Sequence, residues 1–330
     1  MPKKYKLAIV GATGLVGRTA LKVLEEKNLP NFEYKLFCSK KSAGTKLHFL
    51  GKDYIAEELV DTSFDEGFDF AIFSAGGSVS KHFAPIAASK GCIVIDNSSA
   101  FRMDKDVPLV VPEVNPEDIE WNKGIIANPN CSTIQAVVAL KPLDEKYRIK
   151  RIVYSTYQAC SGAGIKGLED LLNKASEGNL QKFAHPIFNN CLPHIDVFEE
   201  DGYTKEEHKM INETKKILHN DKLAVTATTV RVPVENSHSE SINIEFENDF
   251  DLHELIDLLK NAPGVIVQDD ISKNIYPLAS NSNGHDEVFV GRIRRDYSNP
   301  NSLNMWVVAD NIRKGAASNA IQILQKIIEK

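Results

Sequence analysis

The sequence predicts an α/β protein in which a doubly wound parallel sheet is followed by an α+β domain with a mixed sheet. Three observations carry this. A buried strand, a glycine-rich turn and a helix follow one another through residues 5–29. Further apolar strands that end in turns are legible at Phe68–Ser74 and Cys92–Asp96, as expected where a sheet is covered on both faces. From about Arg151 the texture changes to alternating segments, Arg151–Gln158, Leu223–Val234 and Ser241–Phe246, with long helical patterns between them. Alternation of that kind suits a mixed sheet carrying helices.

The opening strand is Tyr5–Val10, and Gly11-Ala12-Thr13-Gly14-Leu15-Val16-Gly17 follows it. A helical pattern through Leu21 and Leu24 then ends near Leu29-Pro30. Strand, glycine turn and helix in this order form the context of a Rossmann-like dinucleotide turn. The glycines let the backbone approach a pyrophosphate, and the helix start supplies N–H groups and positive potential. Gly11, Thr13, Gly14, Leu15, Val16 and Gly17 are therefore the expected cofactor contacts, in a G-x-x-G-x-x-G variant of the usual spacing.

The next strand, near Tyr34–Cys38, should end beside the adenosine ribose. An NAD enzyme normally offers an acid there. This chain offers Ser39, Lys40, Lys41 and Ser42, so the position favours a ribose 2′-phosphate and NADP, with Ser39, Lys41 and Ser42 as its contacts. A second glycine turn, Ser74-Ala75-Gly76-Gly77-Ser78, adds Ser74, Ala75 and Gly76 to the nucleotide site.

Length and composition set bounds. A chain of 330 residues suits two domains. A net charge of -6 argues against general binding to nucleic acid or anionic membranes, so any anion site must be local. The five cysteines, at 38, 92, 131, 160 and 191, are odd in number and widely spaced, which suggests reduced thiols in the cytoplasm. Lys3, Lys4 and Lys6 before Leu7–Val10 imitate a leader peptide, but the apolar run is too short. No later stretch approaches membrane-spanning length.

The chemistry gathers at Asn128-Pro129-Asn130-Cys131-Ser132-Thr133-Ile134-Gln135. Pro129 breaks regular structure, and a helical run through Ile134, Val137, Val138 and Leu140 is expected to stop before Pro142. Cys131 then stands at a helix start, where free N–H groups favour the thiolate. A lone cysteine there suits covalent catalysis, although free cysteine is also a common core residue. Gln158 precedes the turn Ser161-Gly162-Ala163-Gly164; His238 follows the strand ending at Val234; Glu206 and Lys209 stand three apart on a helix. Each alone reads as structural, and Arg102 and Arg231 as surface cations. Together with an NADP fold they form a specific set. For metal, Cys191 with His194, or His185 with His194, has a possible spacing, but no second cluster completes a site, and none is expected. A short-chain reductase would need Tyr-x-x-x-Lys, and no tyrosine here has lysine four residues on.

At this point the chain resembles the aspartate-semialdehyde dehydrogenases of bacteria. The matching motifs are GATGLVG at 11–17, SAGGSVS at 74–80, IDNSSAFRM at 95–103, VPEVN at 111–115 and NPNCSTIQ at 128–135. YQACSGAG at 157–164, EEHKMINETKKIL at 206–218, RVPVENSHSES at 231–241 and DNIRKGAASNA at 310–320 follow in order. The resemblance implies NADPH-dependent reduction of L-aspartyl 4-phosphate to L-aspartate 4-semialdehyde with release of phosphate, on the route to lysine, threonine and methionine. It implies Cys131 as nucleophile, Gln158 as the residue positioning the acyl intermediate, and His238 as acid/base. Arg231 and Glu206 would hold the α-carboxylate and α-ammonium, while Arg102, Lys209 and Asn130 would receive phosphate. Ser161, Gly162 and Asn311 would join the cofactor site.

The resemblance further implies an NADP-binding domain at 1–130, completed by a C-terminal helix at 313–330, and a catalytic and dimerisation domain at 131–312. It implies a homodimer or a dimer of dimers, with no nucleic-acid or membrane partner. Cys160 stands where the family often has a small apolar residue, and Ser237 where some members have cysteine. The nearest rival is an N-acetyl-glutamyl-phosphate reductase, whose acylated amine would leave Glu206 without a charged partner. A glyceraldehyde-phosphate-type dehydrogenase would not explain the motifs. A non-catalytic NADP-binding homologue is the rival of another class, and the complete set of reactive residues argues against it.

Overall fold

Residues Leu7–Val10 are apolar at every position because the strand they form is covered on both sides. Strand β1 (Tyr5–Val10) sends Leu7 and Ile9 into one buried cluster and Ala8 and Val10 into another, following the period of two along a strand. In this computed structural model residues 4–329 are described, so Lys3 of the leader-like pattern and Lys330 of the closing helix lie outside the described residues. The chain divides into two units. One ends at Pro129 and resumes at Ala316, and the other runs Asn130–Gly315.

In the first unit β1 is joined by β2 (Phe32–Cys38), a hairpin of β3 (Lys46–Phe49) and β4 (Lys52–Ile55), β5 (Glu57–Glu58), β6 (Phe70–Phe73), β7 (Ile93–Asp96) and β8 (Ile125–Ala127). The main sheet has the order β5-β2-β1-β6-β7-β8 and every pairing in it is parallel. Helix α1 (Leu15–Lys27) and the C-terminal helix Ser318–Ile328 cover the face of Leu7 and Ile9, the latter through Ala320, Ile321 and Leu324. Helix α2 (Gly77–Ser89), with Phe64 and Phe68, covers the other face. The sheet is therefore doubly wound, as the sequence predicts. The closing helix opens with a π-helical turn at Arg313–Ala317 and runs on as an α-helix through Ser318–Ile328.

The second unit holds α3 (Cys131–Tyr147), β9 (Ile149–Gln158), α4 (Ile165–Leu172), α5 (Lys205–Ile217), β10 (Ala224–Arg231), β11 (His238–Phe246) and α6 (Leu252–Lys260). Strands β12 (Val265–Val267), β13 (Val288–Arg295) and β14 (Ser302–Ala309) complete it. The sheet order is β10-β9-β11-β14-β13-β12, with the two outer pairs parallel and the central pairs antiparallel. It is the mixed sheet expected, with α3 packed on its inner face.

Several boundaries differ from expectation, among them the start of β11 at His238 rather than Ser241. Helix α3 does not stop before Pro142 but carries it inside and ends at Tyr147. Proline costs a helix one hydrogen bond and a clash, yet Ile134 through Leu140, Leu143 and Tyr147 are all buried, and packing outweighs the local break. The strand expected to reach Val234 ends at Arg231, and Pro233 follows, which has no N–H for a ladder.

Candidate active site

Asn130 starts the helix that carries the thiol. Its backbone is extended, and its Oδ1 accepts from the N–H groups of Ser132 (2.8 Å) and Thr133 (3.5 Å). Cys131 is thereby the first helical residue, as expected, and is partly exposed. Gly315 lies against it: a Cβ at 315 would stand 2.6 Å from Cys131 Cβ. The thiol is seated on bare backbone.

The same asparagine ties α3 to α5. Its N–H donates to Glu213 Oε2 (2.6 Å) and its Nδ2 to Glu206 Oε1 (2.8 Å). Glu206 and Glu213 are seven residues apart and therefore share a helix face, with Met210 between them accepting from Thr133 Oγ1. Asn130 is thus a cap and a tether. With Oδ1 and one Nδ2–H committed, the amide keeps one N–H for an anion such as phosphate.

Strand register supplies three more of the candidate residues. In the parallel β9–β10 pair, Gln158 stands beside Arg231, the last residue of each strand. Antiparallel β11 begins at His238, with Ser239 opposite Tyr157. One end of the sheet therefore presents Gln158, Arg231 and His238. The peptide of Ala159 joins two of them: its N–H donates to His238 Nδ1 (2.9 Å), and its carbonyl accepts from Arg231 Nη1 (2.6 Å). Gly162 fits between those side chains, because a Cβ there would meet Arg231 Nη1 at 3.0 Å and His238 Nε2 at 3.2 Å.

Ser237, just before the histidine, has φ of 71°, a left-handed conformation that costs a non-glycine residue free energy and persists only where the surroundings enforce it. Its N–H donates to Asn311 Oδ1 (2.8 Å), and Asn311 Nδ2 donates to Ser161 Oγ (3.0 Å). Ser161 and Asn311 are both buried. Their side chains brace the loops on either side of His238. Gly162 remains exposed.

Charge in this site is arranged in pairs. Burial pushes the Glu206 carboxyl up, but Lys209 and the hydrogen bonds from Asn130, Gln158 and Lys209 overcome it, and its pKa lies below the ordinary value. Glu206 is ionised. Gln158 donates from Nε2 to Glu206 (3.1 Å) and accepts from Thr156 Oγ1 (3.1 Å). Lys209 sits between Glu206 (3.1 Å) and Asp196 (2.7 Å). Its ammonium keeps one N–H for a further anion.

His238 is fully buried, and burial, then Arg231, hold its pKa well below the ordinary value. Because Nδ1 accepts the Ala159 N–H, the neutral ring carries its proton on Nε2. Nε2 has no hydrogen-bond partner among the described residues. The ring is therefore a neutral donor. Cys160 gives its thiol hydrogen to the Val232 carbonyl, and burial pushes its pKa up to about 11, so it is a packed thiol rather than a reactive one.

A cavity of about 480 Å³ adjoins Arg231, walled by Ala163, Phe183, His194 and Asp196. This volume falls within the small-molecule range. His194 stacks on Phe198 at 4.3 Å and Cys191 is exposed. Among the described residues no three His, Cys, Asp or Glu side chains are grouped to hold a metal, and no helix is long and apolar enough to cross a membrane.

The nucleotide turn lies in the first unit. Gly11 has φ of 84°, and a Cβ on it would lie 2.7 Å from the Ser74 carbonyl; one on Gly17 would lie 2.2 Å from the Gly11 carbonyl. These two glycines close the turn, while Gly14 caps α1 with no side-chain bond to the helix start. Thr13, Leu15 and Val16 complete the turn and first helical positions. The free N–H groups at that start suit a pyrophosphate, so the residues fit a dinucleotide. Ser74 and Ala75 follow β6, and Gly76 caps α2 with φ of 91°. Ser39, Lys41 and Ser42 form a short turn after β2, with Ser39 and Lys41 exposed. Strand β5 brings Glu57 and Glu58 beside Phe37 and Cys38, carboxylates that reading the segment after β2 alone missed; Glu57 is paired with Lys35 at 3.0 Å. Arg102, also in this unit, is buried and donates to the carbonyls of Asn128 (2.9 Å) and Asn97 (2.8 Å).

Asp196, Glu213, Gly315 and the Ala159 peptide were not foreseen. Glu213 had a signal, its spacing from Glu206 on one helix. Backbone groups and tertiary neighbours leave none.

A dinucleotide turn on a parallel sheet, and a second unit that carries a helix-start thiol and a buried histidine, define the class as an oxidoreductase with a cysteine. Residues 6–122 match the family description "semialdehyde dehydrogenase, NAD binding domain", and residues 140–314 match "semialdehyde dehydrogenase, dimerisation domain". Aspartate-semialdehyde dehydrogenase of Aquifex aeolicus is 58% identical, covering 99% of this chain and 98% of its own, and that of Bacillus subtilis is 48% identical, covering 99% and 98%. Aspartate semialdehyde dehydrogenase II from Vibrio cholerae, solved alone and complexed with ASA, superposes with a TM-score of 0.94 at 43% identity over 99% of both chains. The Candida albicans enzyme, solved with NADP, gives a TM-score of 0.79 at 26% identity over 99% of both. The chain belongs to the aspartate-semialdehyde dehydrogenase family.

Proposed function

We propose that this protein reduces L-aspartyl 4-phosphate to L-aspartate 4-semialdehyde and phosphate through a thioester on Cys131, with NADPH as reductant. The observation that carries the reading is the joining of the thiol helix to an ionised Glu206 through Asn130. Glu206 is a buried anion suited to a free α-ammonium, which an N-acetylated substrate lacks.

The residues act in a defined order. The thiol is partly exposed, so its proton leaves to solvent, and the start of α3 and the Arg231 guanidinium favour the thiolate. Arg231 takes the α-carboxylate. The Cys131 sulfur forms a bond to the acyl carbon, the carbonyl becomes an oxyanion, and the C–O bond to phosphate then breaks. Backbone N–H groups at the α3 start and the His238 Nε2–H are donors for that oxyanion. A neutral histidine donor stabilises developing negative charge without delivering a full proton. For the phosphate the reading keeps Arg102 and Lys209 as cations. Gln158 positions the acyl group by holding Glu206 in place. Final collapse of the reduced adduct on Cys131 frees the aldehyde and the thiolate.

The Gly11–Gly17 turn and the Ser74–Gly76 turn would hold the dinucleotide, with Ser39, Lys41 and Ser42 at a 2′-phosphate. When bound, NADPH supplies the reducing equivalents that take the thioester to the aldehyde level. The place of this step is aspartate-derived amino-acid synthesis in the cytoplasm.

The outer face of the second sheet is the proposed contact between two copies of the chain. Tyr157 and Trp306 pack there at 5.4 Å with their rings tilted by 45°, and Tyr276 and Leu278 are exposed beside them, an aromatic patch suited to an interface core. Sedimentation of wild type and Trp306→Glu reads this directly: a dimer that weakens in the variant supports the face, and an unaltered mass removes it. Twice the dimer mass would mean that dimers pair.

The reaction is tested in reverse. L-Aspartate semialdehyde, phosphate and NADP are expected to give phosphate-dependent NADPH. Turnover of N-acetyl-glutamate semialdehyde instead would replace the reading with the acetylated substrate, and binding of NADP without either turnover would leave a non-catalytic homologue.

A further inference from the structure

Glu240 is a buried acid that the reaction above does not use. It is 0% exposed, and neither carboxyl oxygen has a hydrogen-bond partner among the described residues. It lies two residues beyond His238 on β11, so both side chains share the inner face of the sheet. The alternate residues Ser239 and Ser241 line an open groove on the other face with Tyr276 and Trp306.

The cross-strand neighbours of Glu240 are Thr156 on β9 and Val307 on β14. Thr156 gives its hydroxyl hydrogen to Gln158, and Tyr154, which feels the Glu240 charge, shares its hydroxyl with Thr214. From α3, which packs on this face, comes Gln135, one turn beyond Cys131 and fully buried. Its Nε2 donates to the His238 carbonyl (3.3 Å), and its Oε1 has no donor among the described residues. Burial keeps the Glu240 carboxyl well above its ordinary pKa, and a protonated acid is a donor in need of an acceptor. Each of the two groups lacks what the other has.

We propose that Glu240 and Gln135 are a positioning pair for His238: the Glu240 carboxyl donates to Gln135 Oε1, and Gln135 Nε2 holds the His238 carbonyl. The pair fixes the strand that carries the imidazole to the helix that carries the thiol. It rests on the role of His238 proposed above. A shared polar bond beneath a site locks the rotamers and backbone that set its geometry.

The test combines infrared spectroscopy with kinetics. Wild type at neutral pH should show the carbonyl band of a protonated carboxyl, absent in Glu240→Gln and shifted in Gln135→Leu, where its acceptor is gone. Glu240→Leu should lower kcat about tenfold or more with KM for the acyl phosphate little changed, and Glu240→Gln, which keeps an N–H donor, should restore most of that loss. In a His238→Asn background Glu240→Leu should cost nothing further. Absence of the band, a band unmoved by Gln135→Leu, or an equal penalty in both backgrounds overturns the pair. Full activity of His238→Asn alone would instead defeat the role of His238, and the band and its shift would still decide the pair.

Discussion

The peptide N–H of Ala159 reaches His238 Nδ1 at 2.9 Å, and this bond decides which nitrogen of the imidazole carries a proton. A charged ring would set two N–H groups against each other. Protonation of His238 is thus opposed by a backbone donor as well as by burial and the Arg231 charge.

Ala159→Pro isolates that bond. Ala159 has φ of -66° and ψ of 152°, a backbone that proline adopts, so the substitution removes the donor with little demand on the chain. Turnover should fall roughly tenfold or more, and a rise in the histidine pKa should be visible by NMR. An unshifted histidine titration would mean that the bond does not control the ring.

Stability in acid reports the same group. The folded-state pKa of His238 is depressed, so its contribution is fully present above the unfolded value of about 6.5 and is lost as pH falls below it. The Tm of wild type should therefore drop more steeply than that of His238→Asn between pH 7 and 5. Parallel curves would show that the ring is not held neutral.

Glu240 has the opposite sign. Its folded pKa is raised by burial, so its contribution is complete below the unfolded carboxyl value of about 4.3 and is lost as pH rises. Glu240→Gln should gain Tm relative to wild type between pH 5 and 8, measured by calorimetry. A constant difference across that range would contradict a protonated side chain.

Gly315→Ala tests the seat of the thiol. The new methyl would stand 2.6 Å from Cys131 Cβ, and overpacking of this kind costs about 1–3 kcal/mol. Alkylation of Cys131 and turnover should both fall at least about tenfold while the dinucleotide still binds, since that strain acts on the reactive geometry. Wild-type alkylation would show that Gly315 has room to spare.

Much of this was legible in local sequence. Tyr5–Val10, the glycine turn and the start of α3 are set by neighbours in the chain, and the structure has them where the residues indicate. Pro142 was misread because a local rule was applied to a helix held by tertiary burial. Asn130 is the more instructive residue. Its type suits a helix cap, but its bond to Glu206 spans 76 positions and depends on how α5 meets α3. The bond between Asn311 and Ser161 spans 150 positions and lies beyond local reading for the same reason.

Cofactor choice is the next expectation. Lys41 is exposed in the turn after β2, and a carboxylate there opposes a 2′-phosphate. Lys41→Glu should raise KM for NADPH by more than about tenfold and leave that for NADH nearly unchanged. Equal changes for both cofactors would remove Lys41 from the phosphate site.

The central claim is covalent catalysis by Cys131, and intact-mass analysis tests it most directly. The enzyme would be mixed with L-aspartyl 4-phosphate and oxidised NADP, which cannot reduce the acyl group, then quenched in acid. The expected result is one aspartyl adduct per chain, mapped to Cys131, with one phosphate released for each, and neither in Cys131→Ser. Phosphate release without an adduct, or an adduct on another residue, would contradict the account.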